Sequence, residues 1–153
     1  MDHIDKKILK LLQQNANLPL SELSKRVGVS TTPCWNRVKK MEELGIISSR
    51  ITVLNNEKIN LAITVFLSIS VKSHQEDWFS QFKNTLMKYD QIIEVYRLAS
   101  SKSDYLLKIV APSIEEYDKF QQKLISEIEF TSMTSDISLK EIKKNYSLPL
   151  DFI

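Results

Sequence analysis

Thr31, Thr32, Trp35, Asn36, Arg37, Lys39 and Lys40 crowd into ten consecutive residues, and their types suit the recognition of bases and phosphates. An Asn amide can pair bidentately with adenine, Arg and Lys reach guanine or phosphate, and a Thr methyl can touch that of thymine. Those contacts need the side chains on one helix face. At about 100° per residue, Cys34, Val38, Met41 and Leu44 make an apolar stripe. The opposite face carries Thr32, Trp35, Asn36 and Lys39, with Arg37 and Lys40 on its flank. Ser30 is the preferred cap, which puts Thr31 and Pro33 in the first turn, where proline's missing amide costs little. Arg50, just beyond, is placed to reach a phosphate. A solvated face has the same polarity, and an outward Trp commonly packs on a neighbour, so the surrounding elements decide.

Other chemistry is poorly supplied. Cys34 is the one cysteine, so neither an internal disulfide nor a cysteine zinc site is available, and on the apolar stripe it reads as a small core residue. His3 and His74 lie far apart. Gly28 and Gly45 are the only glycines, too few for a phosphate-cradling loop. The acidic pairs Glu76/Asp77 and Glu115/Glu116 fall in first helical turns and read as dipole partners rather than catalytic carboxylates. No enzyme, metal or cofactor is expected. The chain has 153 residues, 42% hydrophobic and 26% charged, the balance of a globular protein. No apolar run follows the first charges, and no stretch approaches the ~20 apolar residues of a membrane span, so a cytoplasmic, membrane-free protein is expected. Residues 1–50 carry nine Lys/Arg against five Asp/Glu, a net +4, and the remainder twelve against fourteen, a net −2. A basic first third suggests that one end meets nucleic acid.

The elements that would position the polar face are legible upstream. Ile4, Ile8, Leu11 and Leu12 give a first helix over about 4–14. Ser21 is a plausible cap for a short second helix with Leu23 and Val27 inward, and Gly28 stops it. A third helix from about Thr31 to Leu44 follows at once, so two helices flank a Gly-containing turn, the helix-turn-helix pattern. The β-branched run 46–53 predicts a short strand pair, a wing. The segments 4–12, 20–28 and 30–42 (Ser-Thr-Thr-Pro-Cys-Trp-Asn-Arg-Val-Lys-Lys-Met-Glu) together closely resemble the Lrp/AsnC family of leucine- and asparagine-responsive transcription regulators. The resemblance continues to the C-terminus. It implies double-stranded DNA as a partner.

Beyond a linker at 54–60, the pattern β-α-β occurs twice. Strands are expected over 61–71, 92–98, 104–111 and from about Thr131 into Lys143, with Met133, Ile137 and Leu139 inward. Helices carry Trp78, Phe82 and Leu86, then Tyr117, Phe120, Leu124 and Ile128. Ser73–Glu76 and Ser113–Glu116 have capping-box spacing. The expected fold is α+β: a winged helix-turn-helix over 1–53, then a ferredoxin-like βαββαβ domain over 61–153 with both helices on one sheet face. Phe66 and an apolar third strand leave the other face needing cover, and a second copy is the simplest cover. The resemblance implies the same pairing, commonly assembled into octamers, and a small effector, often an amino acid, at the oligomer interface. Asp104-Tyr105 matches the family's Asp-Tyr pair, while Ser101 stands where a Gly usually does. A zwitterion needs donors and an acceptor, and the turn Ser100, Ser101, Lys102, Asp104 and Tyr105 offers both; it is equally a plausible polar hairpin. The expected function is effector-modulated, sequence-specific transcription regulation. The alternative is an architectural DNA binder that needs no effector.

Overall fold

The computed structural model describes residues 1–71, 76–99 and 102–153. They form two compact units, Met1–Val53 with Ile142–Ile153, and Leu54–Glu141. The first unit holds α1 (His3–Gln14), α2 (Leu20–Val27) and α3 (Thr31–Glu43). Helix α1 starts on a capping box. Asp2 accepts from the amides of Ile4 and Asp5 at 2.9 and 3.0 Å, and Asp5 accepts from the Asp2 amide at 3.0 Å. Orphan amides at the helix start are thereby satisfied on both sides of the cap.

Helix α2 is capped at Pro19, not at Ser21. The helix starts two positions earlier than expected because Leu20, packed against the core, joins it. Gly28 ends it at φ +80°, and its amide reaches the Ser24 carbonyl at 3.0 Å. That left-handed conformation is what glycine adopts without penalty. Ser30 occupies the cap position of α3 as expected, but its hydroxyl makes no capping bond. Ile8, Leu9, Leu23, Val27, Cys34, Val38 and Met41 are buried together where the three helices meet.

The expected wing strands are not found: residues 46–53 hold no strand. Ile47 packs on the three-helix core, but Ile46, Ile51 and Val53 are exposed, Ile51 at 71%. A two-stranded ribbon without a covered face is marginal at best.

The second unit holds a 3-10 turn (Glu57–Ile59), β1 (Ile63–Ser70), α4 (Glu76–Leu86), β2 (Ile92–Arg97), β3 (Tyr105–Ala111), α5 (Ile114–Glu127) and β4 (Ser132–Ile137). The strands form one antiparallel sheet in the order β2-β3-β1-β4. Val65, Leu67 and Ile69 of β1 and Tyr105, Leu107 and Ile109 of β3 point to one face and pack with Phe82 and Leu86 of α4 and Tyr117, Phe120 and Leu124 of α5. Both helices therefore cover one face. Ser113 caps α5 by accepting from the Glu116 amide, while the Glu116 carboxylate pairs with Lys119. Ser73 and the start of its capping box lie outside the described residues.

The last strand is shorter than expected. Strand β4 pairs only with β1 and ends at Ile137, opposite Val65; the Ser138 amide still donates to the Thr64 carbonyl at 2.9 Å, but Leu139 beyond it is 98% exposed rather than inward. From residue 138 the chain is irregular. Residues 142–153 belong to the first unit, against the expected 61–153 domain. The Gln13 side chain accepts from the Leu148 amide at 2.6 Å and donates to the Leu148 carbonyl at 3.3 Å, and Leu150 packs on the three-helix core.

Candidate DNA-reading face and effector turn

Helix α3 divides sharply into two faces. Cys34, Val38 and Met41 are buried, and burial pushes the Cys34 thiol up, away from nucleophilic use. Ser30, Thr31, Thr32, Trp35, Asn36, Lys39 and Lys40 are exposed. Trp35 is 48% exposed, and the Lys39 ammonium lies 5.0 Å from its ring centroid and 3.9 Å from Glu43 Oε1. Both are loose surface contacts that another anion can replace. Asn36 and Lys40, one turn apart, are exposed and have no side-chain partner among the described residues. An exposed, uncommitted amide beside an ammonium is the equipment for pairing with a base edge and a phosphate.

Two residues expected on this face are committed elsewhere. Arg37 Nη1 lies 2.7 Å from Asp2 Oδ2 and 2.7 Å from Asp5 Oδ1. The two carboxylates hold the guanidinium pKa above its usual value, and Asp2 is lowered to about 2 by the Asp5 amide first and by Arg37 next. Arg50 donates to Glu42 at 2.8 Å, which ties the chain after α3 back to that helix. Neither Asp2 nor Asp5 was singled out from sequence. The signal was present in the Asp-x-x-Asp spacing before the first apolar run, read with Asp in place of the usual Glu.

At the expected effector turn, Ser100 and Ser101 lie outside the described residues. The rest of the turn is knitted to the end of β1. Asp104 Oδ2 accepts from the Val71 amide at 2.9 Å, the Asp104 amide donates to Ile69, and Ser70 Oγ donates to the Lys102 carbonyl at 3.2 Å. Asp104 thus closes the β2–β3 connection. Tyr105 does not face the turn: it is buried, with its ring 4.8 Å from that of Phe82 and 6.1 Å from Trp78. The odd residues of β3 face the helices, and Tyr105 is one of them. Next to this end of the sheet is an open groove lined by Trp78, Ile125, Ile128, Glu129, Phe130, Thr131, Ser132 and Met133. The Thr131 amide donates to the Ser70 carbonyl at 2.8 Å, so Ser70 links groove and turn. Sequence reading missed the groove, because its walls come from three separate elements.

Among the described residues, no His/Cys/Asp/Glu group could hold a metal ion, and no helix is long and apolar enough to cross a membrane. Comparison with known proteins covers nearly the whole chain. Residues 1–48 match the family model of a winged helix-turn-helix DNA-binding domain, and residues 64–148 that of the Lrp/AsnC ligand binding domain. The glutamate uptake regulatory protein of Zymomonas mobilis is 41% identical over 150 residues, covering 98% of this chain and 91% of that protein. The crystal structure of an AsnC family transcriptional regulator from Agrobacterium tumefaciens superposes with TM-score 0.95 at 41% identity, covering 100% and 99% of the two chains. That of a Neisseria meningitidis transcriptional regulator in complex with L-Met superposes with TM-score 0.93 at 32% identity, covering 99% and 98%.

Proposed function

The chain belongs to the Lrp/AsnC family of transcription regulators, and on that footing we propose which of its residues read DNA and which sense the effector. Helix α3 enters the major groove. Asn36 and Lys39 read base edges, Lys40 and the helix start at Ser30, Thr31 and Thr32 take phosphates, and Trp35 packs beside them. The observation that carries this reading is the exposed, unpartnered Asn36–Lys40 edge directly opposite a buried stripe. The test uses duplexes selected by the protein from a random pool, compared with unselected duplex. Asn36→Ala should relax sequence preference and cost about 1–3 kcal/mol on the best site. Lys40→Ala should weaken both duplexes alike and lower the salt slope by about one unit. Identical behaviour of the two variants on both duplexes would reject the assignment.

The second unit senses an amino acid. The β2–β3 turn with Lys102 meets the zwitterion, and the groove beside Trp78 and Met133 takes the side chain. Asp104 shapes the turn through Val71, and Tyr105 supports it from the core. Two copies pair through the open sheet face, and the protein acts in the cytoplasm, beside its DNA. An effector-independent architectural role is favoured instead by Ser101, which stands at a position the family usually gives to Gly. Calorimetric titration of L-Met, L-Leu and L-Glu into wild type, Asp104→Ala and Ser101→Gly separates the two. Binding to wild type that Asp104→Ala abolishes supports sensing. Binding to neither wild type nor Ser101→Gly leaves the architectural role.

A further inference from the structure

Arg37 lies on the same turn of α3 as Asn36 and Lys40, yet its guanidinium is turned to the start of α1. Each carboxylate it meets is already anchored. Asp2 Oδ1 takes the Ile4 and Asp5 amides, leaving Oδ2 for Arg37 at 2.7 Å. Asp5 Oδ2 takes the Asp2 amide, leaving Oδ1 for Arg37 at 2.7 Å. The capping box of α1 and the guanidinium of α3 are therefore one hydrogen-bonded unit. Charge-assisted bonds of this length are strongly directional. Rotating α3 about its axis, or sliding it along α1, would break at least one of them. Asp2, Asp5, Asn36, Arg37 and Lys40 line one groove, so the clamp adjoins the residues whose direction it would fix.

Given that α3 is the reading helix, we propose that Arg37 is a positioning residue for base reading: it locks α3 to the capped end of α1, sets where Asn36 and Lys40 project, and takes no phosphate itself. Freeing it for a phosphate would leave two carboxylates uncompensated at the edge of a surface that must approach a polyanion. The unshared arrangement is thus unfavourable in the free protein and worse on DNA.

The experiment measures the full chain on pool-selected and unselected duplexes across a salt series, for Arg37→Gln, Arg37→Lys, Asp5→Asn and the Arg37→Gln/Asp5→Asn pair. Arg37→Gln should weaken the selected duplex about tenfold or more, change unselected binding little, and leave the salt slope unchanged. Asp5→Asn should give a loss of the same kind, and the pair should lose no more than the worse single variant, the mark of residues acting as one unit. Arg37→Lys keeps the charge but replaces the rigid guanidinium, whose Nη1 meets both carboxylates, with a flexible, more strongly hydrated ammonium that holds them less firmly. It should lose selectivity at an unchanged slope, and it decides the matter if Arg37→Gln fails to fold. A slope lower by about one unit, with weaker binding to both duplexes, would show Arg37 on a phosphate and overturn the proposal. Tighter binding of Asp5→Asn to both duplexes would overturn it too, by showing that the carboxylate merely repels DNA. If Asn36→Ala in the same assay costs no selectivity, the reading of α3 fails instead.

Discussion

Asp2 ties two amides of its own helix start to the guanidinium of Arg37, 35 residues away in sequence. Their pull lowers its carboxyl to about 2. A carboxylate depressed in the folded state stabilises it above the unfolded pKa, about 4, and that contribution is lost as pH falls through the folded value. Thermal unfolding of wild type compared with Asp2→Asn should therefore differ most above pH 4. The difference should shrink between about pH 4 and pH 2. A difference that stays constant across that window would mean Asp2 acts through packing, not charge. The types on the exposed edge of α3 were readable from their spacing, because a helix fixes which side faces out. The commitment of Arg37 was not, because its partners stand 35 and 32 residues away. Tyr105 shows the same limit. Its place beside Asp104 in sequence suggested a shared site, but alternate residues of a strand face opposite ways.

At the scale of elements, stop signals were more legible than starts. Gly28 marks the end of α2 in sequence and sits at φ +80°. A Cβ added there meets nothing within 4 Å, so any penalty is conformational rather than steric crowding. Gly28→Ala should destabilise the first unit by about 1–2 kcal/mol, the cost of a left-handed non-glycine residue. Gly28→Asn should recover part of that, since Asn tolerates this region better. Denaturant midpoints at an unchanged slope would measure both; an unaffected Ala variant would mean the turn can relax into another form. The run 46–53 shows why a β-branched composition is insufficient. Composition says a strand is allowed, whereas a strand forms only where a partner ladder and a covered face exist. Strand β4 stops at Ile137 although β1 runs on to Ile63, because the segment beyond lacks a covered face, with Leu139 98% exposed.

The whole molecule departs from a simple two-part reading at its last twelve residues, Ile142–Ile153, which rejoin the first unit. Nothing periodic in the tail announces this; the link is Gln13 bonding the Leu148 backbone from 135 residues away. The duplicated β-α-β pattern, by contrast, was visible because each strand alternates and each helix carries its own apolar stripe. That alternation also exposes what a single chain leaves uncovered. Phe66 remains 36% exposed in mid-strand, with Leu106 and Tyr96 on the same face. Covering the exposed third of this Phe is worth roughly 0.5–1 kcal/mol per copy, and a two-fold pairing covers it twice. Phe66→Lys is the informative change. Its cross-strand neighbours are Asp136 and Lys108, and Lys108 is already paired with Glu94 at 3.0 Å, so Asp136 can balance the new charge within one chain. Two copies brought face to face would instead oppose like charges. Sedimentation should show wild type as a dimer or a multiple of it and Phe66→Lys as a folded monomer. On DNA, wild type should protect two half-sites spaced by whole helical turns of about 10 base pairs, and Phe66→Lys a single half-site with weaker binding. A wild type that sediments as a monomer, or a Phe66→Lys variant that still pairs, would place the dimer contact elsewhere or remove it.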